Sequence, residues 1–400
     1  MALLSAALFS ALSAINDQND KSKTQISTDF EFRSRFERRV DKDFQLSPND
    51  NRSEVQWRVR PGMSFKGDNW SARVQFQYAH SLIWTAMKNF STENVDATVA
   101  QLQFNTGEGT LTLGRQKINL GDERLLGTLE WSNLARSMDG IRFQTKEWDA
   151  YAFKFGLSPN IKRDARIYAV SNKNSAGTTS YILKTDNSGG SDVTVHTLDH
   201  IWKGKMGESL SGELEVAGQV GKVGAKDLGA YALHAQTAYK ANSKLTVGAE
   251  MNMASGGQSA SHSKTFDNLY PTNHKFYGSA DMQGWRNMQE FSIFANYKTD
   301  PNGSVVVAWH NFWLFDSTDG WYGAGGAINP RQGGTYIDPT GTSGKFVGSE
   351  LDLTYNRKLN ANSSISFGVA FFSPGSFIKN VNPSQDKNQV WGYGMLSMKF

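Results

Sequence analysis

Arginine recurs on alternate positions near the start of the chain, where Glu31, Arg33, Arg35, Glu37 and Arg39 interleave with Phe30, Phe32 and Phe36, and Arg52, Arg58, Arg60 and Arg73 follow. A guanidinium stays charged at any working pH and grips a carboxylate through two parallel hydrogen bonds, so a file of them is a recognition surface for anions. Apart from Glu31, Glu37 and Glu54, the carboxylates on comparable alternating positions come later: Glu213, Glu215, Glu250, Glu350 and Asp352. Catalytic chemistry is poorly provided for. Neither Gly-x-Ser-x-Gly nor His-Glu-x-x-His occurs. His196 and His200 are four apart, which on a strand separates their α-carbons by about 13 Å, too far to share one metal. His310, between Trp309 and Asn311, is expected near the outer rim in a hydrogen-bonding role. Asp316, Asp319 and Asp338 lack the ligand spacing of a known calcium loop. These residues point to binding and passage of charged solutes, with no catalytic group, metal or cofactor called for.

The elements that must carry these charges are strands. In 53–65 Val55, Trp57, Val59, Met63 and Phe65 alternate with Glu54, Gln56, Arg58 and Arg60, and in 70–78 Trp70, Ala72, Val74, Phe76 and Tyr78 alternate with Arg73, Gln75 and Gln77. The same two-faced pattern returns in 210–220, 244–253 and 347–355, and in the closing segment 390–400, where Val390, Leu396, Met398 and Phe400 share one face. One face suits lipid and the other water. Short links at 66–69, 105–109, 145–148, 173–179, 204–208, 241–243, 299–303 and 359–362 alternate with outer links at 40–50, 81–93, 117–138, 157–162, 187–191, 222–227, 255–286, 315–344 and 374–388. Bacterial barrels keep short turns on the periplasmic side and long loops outside. The spacing therefore predicts an all-β fold, a single antiparallel transmembrane β-barrel over 27–400 with eighteen strands and both termini periplasmic; sixteen strands stay open because 166–186 alternates weakly. A barrel of that size encloses an aqueous lumen.

Composition agrees. The 400 residues include 24 Phe, 11 Trp, 13 Tyr and 38 Gly against 9 Pro, and no linker-like stretch divides them. Cysteine is absent, which removes disulfides and thiolate metal sites. Mean hydropathy is −0.50, and no run is apolar enough for a spanning helix, although strands escape that test because every second residue is polar. A formal net charge of +4 is too small to argue for nucleic acid. Residues 1–14, apolar and small-residue-rich, are signal-peptide-like, with cleavage expected near Ala14, although the first basic residue is Lys21.

Two stretches carry more than pattern. The first is Leu113-Gly114-Arg115-Gln116-Lys117 followed by Gly121-Asp122-Glu123-Arg124-Leu125-Leu126-Gly127, Trp131 and Met138-Asp139-Gly140-Ile141-Arg142; the second runs from Ala254-Ser255-Gly256-Gly257 through Thr265-Phe266-Asp267-Asn268-Leu269-Tyr270-Pro271 and His274 to Gly278 and Gly284-Trp285-Arg286-Asn287. With Gly348-Ser349-Glu350-Leu351-Asp352-Leu353 they resemble the alginate export family of outer-membrane porins. The resemblance implies an eighteen-stranded barrel in a Gram-negative outer membrane conducting a polyanionic polysaccharide through an arginine-rich constriction. It nominates Arg115, Arg124, Arg136 and Arg142 as basic groups of the pore. Arg115 shares the parity of Leu111 and Leu113 and faces inward only if a bulge or the strand end redirects it. The resemblance also marks Phe266, Asp267, Pro271, His274 and Gly278 as an extracellular loop motif that folds over or into the barrel mouth. A periplasmic secretion partner is a further implication.

The expected function is a passive outer-membrane channel, a porin for anionic solutes, acidic polysaccharide or oligosaccharide of the alginate type foremost. Its basic lining is Arg33, Arg35, Arg52, Arg58, Arg60, Arg73, Arg115, Arg124, Arg136 and Arg142, and its acidic lining Glu31, Glu54, Glu213, Glu215, Glu250, Glu350 and Asp352. Partners would be anionic polysaccharide or small anions, the lipid bilayer and lipopolysaccharide. A general diffusion porin for small hydrophilic solutes is the first alternative and a barrel-embedded hydrolase the second.

Overall fold

The computed structural model describes residues 24–44, 50–85, 88–155, 164–188, 191–331, 333–383 and 386–400. The signal-peptide-like segment 1–14 and the link 157–162 lie outside them. Eighteen long strands close into one antiparallel barrel: β1 (Gln25–Val40), β2 (Arg52–Lys66), β3 (Trp70–Thr85), β4 (Asn89–Asn105), β5 (Thr110–Gln116), β6 (Met138–Gln144), β7 (Trp148–Phe155), β8 (Ala165–Asn174), β9 (Gly177–Asp186), β10 (Val193–Lys205), β11 (Leu210–Val223), β12 (Lys226–Lys240), β13 (Leu245–Ala254), β14 (Met288–Asp300), β15 (Gly303–Leu314), β16 (Phe346–Lys358), β17 (Ser363–Pro374) and β18 (Gln389–Lys399). Each pairs with its neighbour in sequence, and β1 pairs with β18 from Glu31↔Lys399 to Val40↔Val390, with Phe400 capping the seam by exchanging backbone hydrogen bonds with Phe30. Closure leaves the sheet without a terminal edge strand, the condition for placing it in hydrocarbon.

Alternation sorts the side chains as the pleat requires. Phe36, Phe76, Leu198, Val216, Val220, Met251, Trp309, Leu351 and Phe371 project outward and remain exposed to the surrounding lipid. Arg33, Arg35, Glu54, Arg58, Arg60, Glu215, Glu290, Glu350 and Asp352 project inward and are buried. All eight short turns fall where the spacing places them, including the tight link between β8 and β9 in the weakly alternating stretch. One outer link differs. The expected loop 81–93 is mostly strand, because β3 and β4 continue past the barrel rim as a hairpin whose register runs through Ser81↔Thr92 to Trp84↔Asn89.

Three long outer loops turn into the lumen. Segment 117–137, between β5 and β6, and segment 255–287, between β13 and β14, bury Ile118, Leu125, Leu126, Phe266, Tyr277, Met282 and Trp285. Segment 315–345 adds Trp321 and Tyr336, which meet Phe44 and Phe372 in an aromatic cluster with ring centroids 5.4 to 6.4 Å apart. The core of this protein is thus made where inserted loops pack against inward side chains of the strands, such as Phe153, Ile167, Phe312 and Trp391.

Candidate functional site: a charged lumen bridged by an inserted loop

β1 and β2 build a basic wall. Their register sets Arg33 opposite Arg58 and Glu31 opposite Arg60, so three guanidiniums crowd one patch. Like charges directly opposite each other repel, and a loop supplies the compensation. Glu130, in segment 117–137, places its carboxylate 2.6 Å from Arg60, 3.1 Å from Arg58 and 2.8 Å from Lys117. Backbone carbonyls of the same segment accept further bonds: Arg33 donates to Glu130 O at 2.7 Å and Ser132 O at 3.0 Å, and Arg35 donates to Trp131 O at 2.6 Å. Burial alone would raise the Glu130 carboxyl, but Arg60, Lys117 and Arg58 outweigh it and hold the group down to about 2.

The opposite wall, β10 to β16, is acidic. It carries Asp199, Glu213, Glu215, Glu250, Glu290, Glu350 and Asp352, all inward. The same inserted loop answers this wall with a cation. Arg124 is buried with its guanidinium 3.0 Å from Asp122 and 3.1 Å from Glu250, donates to Tyr277 Oη at 3.3 Å, and stacks 4.0 Å over the Phe276 ring. Segment 117–137 is therefore a strut, with Glu130 on the basic wall and Arg124 on the acidic one. Segment 255–287 binds the acidic wall through backbone amides: Ser279 N–H donates to Asp352 and Ala280 N–H to Glu350, each at 2.8 Å. Gly278, at φ +81°, permits this approach, since a Cβ there would fall 2.6 Å from Glu350 Oε2.

The two inserted segments meet at Trp131 and His274, whose rings stack at 3.8 Å and 11°. His274 is braced by Asp281, 2.9 Å from its Nδ1, while Arg35 lies 4.0 Å over the Trp131 ring. An outer chamber of about 770 Å³ and an inner one of about 360 Å³ both have His274 in their lining. His274 is the residue the two linings share, and its stack on Trp131 sets both loops against the basic wall.

Of the residues nominated from sequence, Arg33, Arg35, Arg58 and Arg60 come together. Arg52 sits at the outer end of β2 on Glu54. Arg73 and Arg142 lie toward the periplasmic mouth in bidentate pairs with Asp29 and Asp149. Arg136 braces the loops, donating to the carbonyls of Gly127, Tyr270 and Pro271. Arg115 stands apart: it keeps the outward parity of Leu113, and Asp139 binds it bidentately at 2.7 and 2.9 Å with Asp96 at 2.8 Å. Glu31 lies 3.7 Å from Arg60, and Glu213 pairs with Lys203 at 2.7 Å. In the loop motif, Phe266 packs edge-on to Trp285, and Pro271 offers its carbonyl to Arg136.

Asp267 anchors the same loop to β9 through Lys184 at 2.7 Å, and although burial opposes its charge, Lys184 and Arg286 hold its carboxyl below the usual range. Lys184→Met strands that carboxylate in the interior, which costs about 3 kcal/mol when a buried pair loses one partner. The expected result is selective proteolysis within 255–287 of an otherwise intact barrel, a cut that the parent protein resists.

His310 departs from expectation. It is buried inside the barrel rather than at the rim, 2.6 Å from Glu290 and 3.6 Å from Asp352, because β15 continues to Leu314 beyond it. His196 and His200 face outward beside Leu198 and partner Tyr181 and Thr179. Sequence reasoning passed over Lys117, Glu130, Lys184, His234 and Glu290.

A family model described as alginate export matches residues 24–392. Among curated proteins none matches the sequence. Solved structures similar to this chain are outer-membrane proteins of Pseudomonas aeruginosa. OccK5 (OpdH) superposes with a TM-score of 0.59 at 12% identity over 94% of this chain and 98% of its own. OprD gives 0.58 at 11% over 94% of each chain, and OpdK 0.59 at 11% over 94% and 98%. At such identities the likeness is one of fold.

Proposed function

The chain belongs to the alginate export family and is an outer-membrane channel of porin type; on that premise we propose that it passes anionic solutes, acidic saccharides of the alginate type foremost, by passive diffusion. The observation that supports this is the surplus of cations on the basic wall. Arg33, Arg58, Arg60 and Lys117 surround a single close carboxylate, Glu130, with Glu31 at 3.7 Å from Arg60. Arg33 in particular is held by carbonyl oxygens, which leaves its charge without a carboxylate of its own. A uronate entering the outer chamber meets the field of the basic wall, with Arg35 held beneath Trp131 by Glu37, Gln56 and the Trp131 carbonyl, and the ring edge offers apolar contact to a sugar. The wall opposite, with its carboxylates, keeps the passing polymer from settling on both sides at once, so binding is local and release fast.

The reading is tested by reversal potential in a planar bilayer under a salt gradient. An anion-preferring potential is expected, together with current block by an added oligouronate. Cation preference overturns the anionic substrate, and equal passage without block returns the channel to general diffusion of small hydrophilic solutes. A periplasmic secretion partner belongs to the same proposal and predicts co-purification of a periplasmic protein with the barrel.

A further inference from the structure

Among the cations that line the outer chamber, Arg286 is held differently from its neighbours. Glu37 lies 2.6 Å from Arg35 and Asp267 lies 2.7 Å from Lys184, while Arg136 donates to three carbonyls. Arg286 has no ion-pair partner among the described residues. Its one side-chain hydrogen bond runs from Nη1 to Gly326 O at a long 3.5 Å, its Nε is buried without an acceptor, and the Tyr322 ring lies 4.6 Å from its Cζ. Asp267 stands within its field but gives Oδ2 to Lys184 and Oδ1 to the Leu269 N–H.

The motif Gly284-Trp285-Arg286-Asn287 explains how a cation comes to be presented in this way. Trp285 is fully buried against Phe266, and Asn287, also fully buried, donates from Nδ2 to Asp316 O at 3.1 Å and Gly320 O at 2.9 Å. Arg286 is fixed between two anchors and left to the chamber.

Asn268 joins it there. Its side chain is 3% exposed, and its Nδ2 has no acceptor among the described residues. Its Oδ1 lies 3.3 Å from the place a Cβ on Gly326 would take, so Asn268 and Arg286 converge on the same glycine. That glycine belongs to a turn held by Gly326 N–H on Gly323 O at 2.8 Å and by Asn273 Nδ2 on Ala324 O at 2.5 Å. Beside it the chamber is open, since a Cβ at Gly325 would meet nothing within 4 Å. Buried donors without acceptors are costly, and two of them beside one cavity call for an acceptor from outside the chain.

We propose that Arg286 and Asn268 form a carboxylate-binding subsite in the outer chamber, which takes one uronate group of an acidic saccharide. The carboxylate offers its two oxygens to the Nε and Nη2 edge of the guanidinium, the geometry in which arginine grips such groups, and Asn268 Nδ2 donates to the same group or to a sugar hydroxyl. The subsite rests on the anionic reading above and gives the passing solute a point of hold apart from the basic wall.

Block of single-channel current by an oligouronate in planar bilayers tests it. Arg286→Gln is expected to raise the half-blocking concentration about tenfold, the scale of a lost charge-assisted pair of hydrogen bonds, and Arg286→Lys to raise it less. Asn268→Asp sets a carboxylate against Arg286 from within, so it is expected to weaken block as strongly while leaving segment 255–287 resistant to protease. Block by a neutral oligosaccharide of equal length is expected to be the same in all of them. Should protease cut Arg286→Gln in that segment, Asn268→Asp carries the comparison, because it keeps the guanidinium. A parent channel that the oligouronate does not block removes the acidic saccharide and the subsite together. A blocked parent whose intact variants show the same half-blocking concentration, or lose block by the neutral sugar equally, overturns the subsite alone.

Discussion

Arg124→Met is expected to raise single-channel conductance severalfold and to destabilise the barrel's interior by about 3 to 5 kcal/mol, the cost of leaving buried carboxylates without their cation. Arg124 joins segment 117–137 to Glu215, Glu250 and Asn252 of the acidic wall and to Tyr277 of the second inserted loop, where it also presses 4.0 Å over Phe276. Methionine fills comparable volume but brings no charge. Glu250 then faces His234 and Asn252 only, and the strut loses its hold on the acidic wall while Glu130 keeps the other end. Conductance in planar bilayers and thermal unfolding in detergent read the two effects. Arg124→Lys retains the charge without the fork and is expected to fall between. Unchanged conductance in a folded Arg124→Met barrel would mean that the loop is held in the lumen without this bridge.

How much of this was legible in the residues depends on how local the cause is. The strands and their turns were, because a period of two and a short turn are decided by a few adjacent residues. The two walls followed from parity: Arg33, Arg35, Arg58 and Arg60 on one arc, and Glu213, Glu215, Glu250, Glu350 and Asp352 on another. What parity cannot carry is where an irregular loop goes. Glu130 meets Arg60 across 70 positions and Arg124 meets Glu250 across 126, and neither loop has a period that aims it. The alternation that aligns the arginines therefore gives no sign that carbonyls of 130–132 occupy part of that surface. His310 was misplaced for a related reason. A strand's length past the membrane midpoint is set by its partners, here β14 and β16, and not by the aromatic residues beside it. Arg115 kept its outward parity because Asp139 on β6 shares it, so no bulge was needed to satisfy the charge.

Glu130→Gln removes the carboxylate at the centre of the basic wall and is expected to increase anion over cation permeability on the order of tenfold, since pore charge acts on local counter-ion concentration at that scale. Arg58, Arg60 and Lys117 lose their common partner, and their mutual repulsion also works against the carbonyl bonds that dock 130–132. Acid should reproduce the effect in the parent channel. Glu130 is ordinarily near 4.5 and is held down to about 2, so its contribution to docking is complete above pH 4.5 and is lost as pH falls through about 2. The arginines stay charged throughout that window. Conductance and selectivity of the parent are thus expected to hold from neutral pH to about pH 3 and to step toward higher anion permeability below it, whereas Glu130→Gln shows the high value at neutral pH and no such step. A variant that still steps in acid would assign the change to another carboxylate, and a shift toward cations would remove the basic wall from the conduction path.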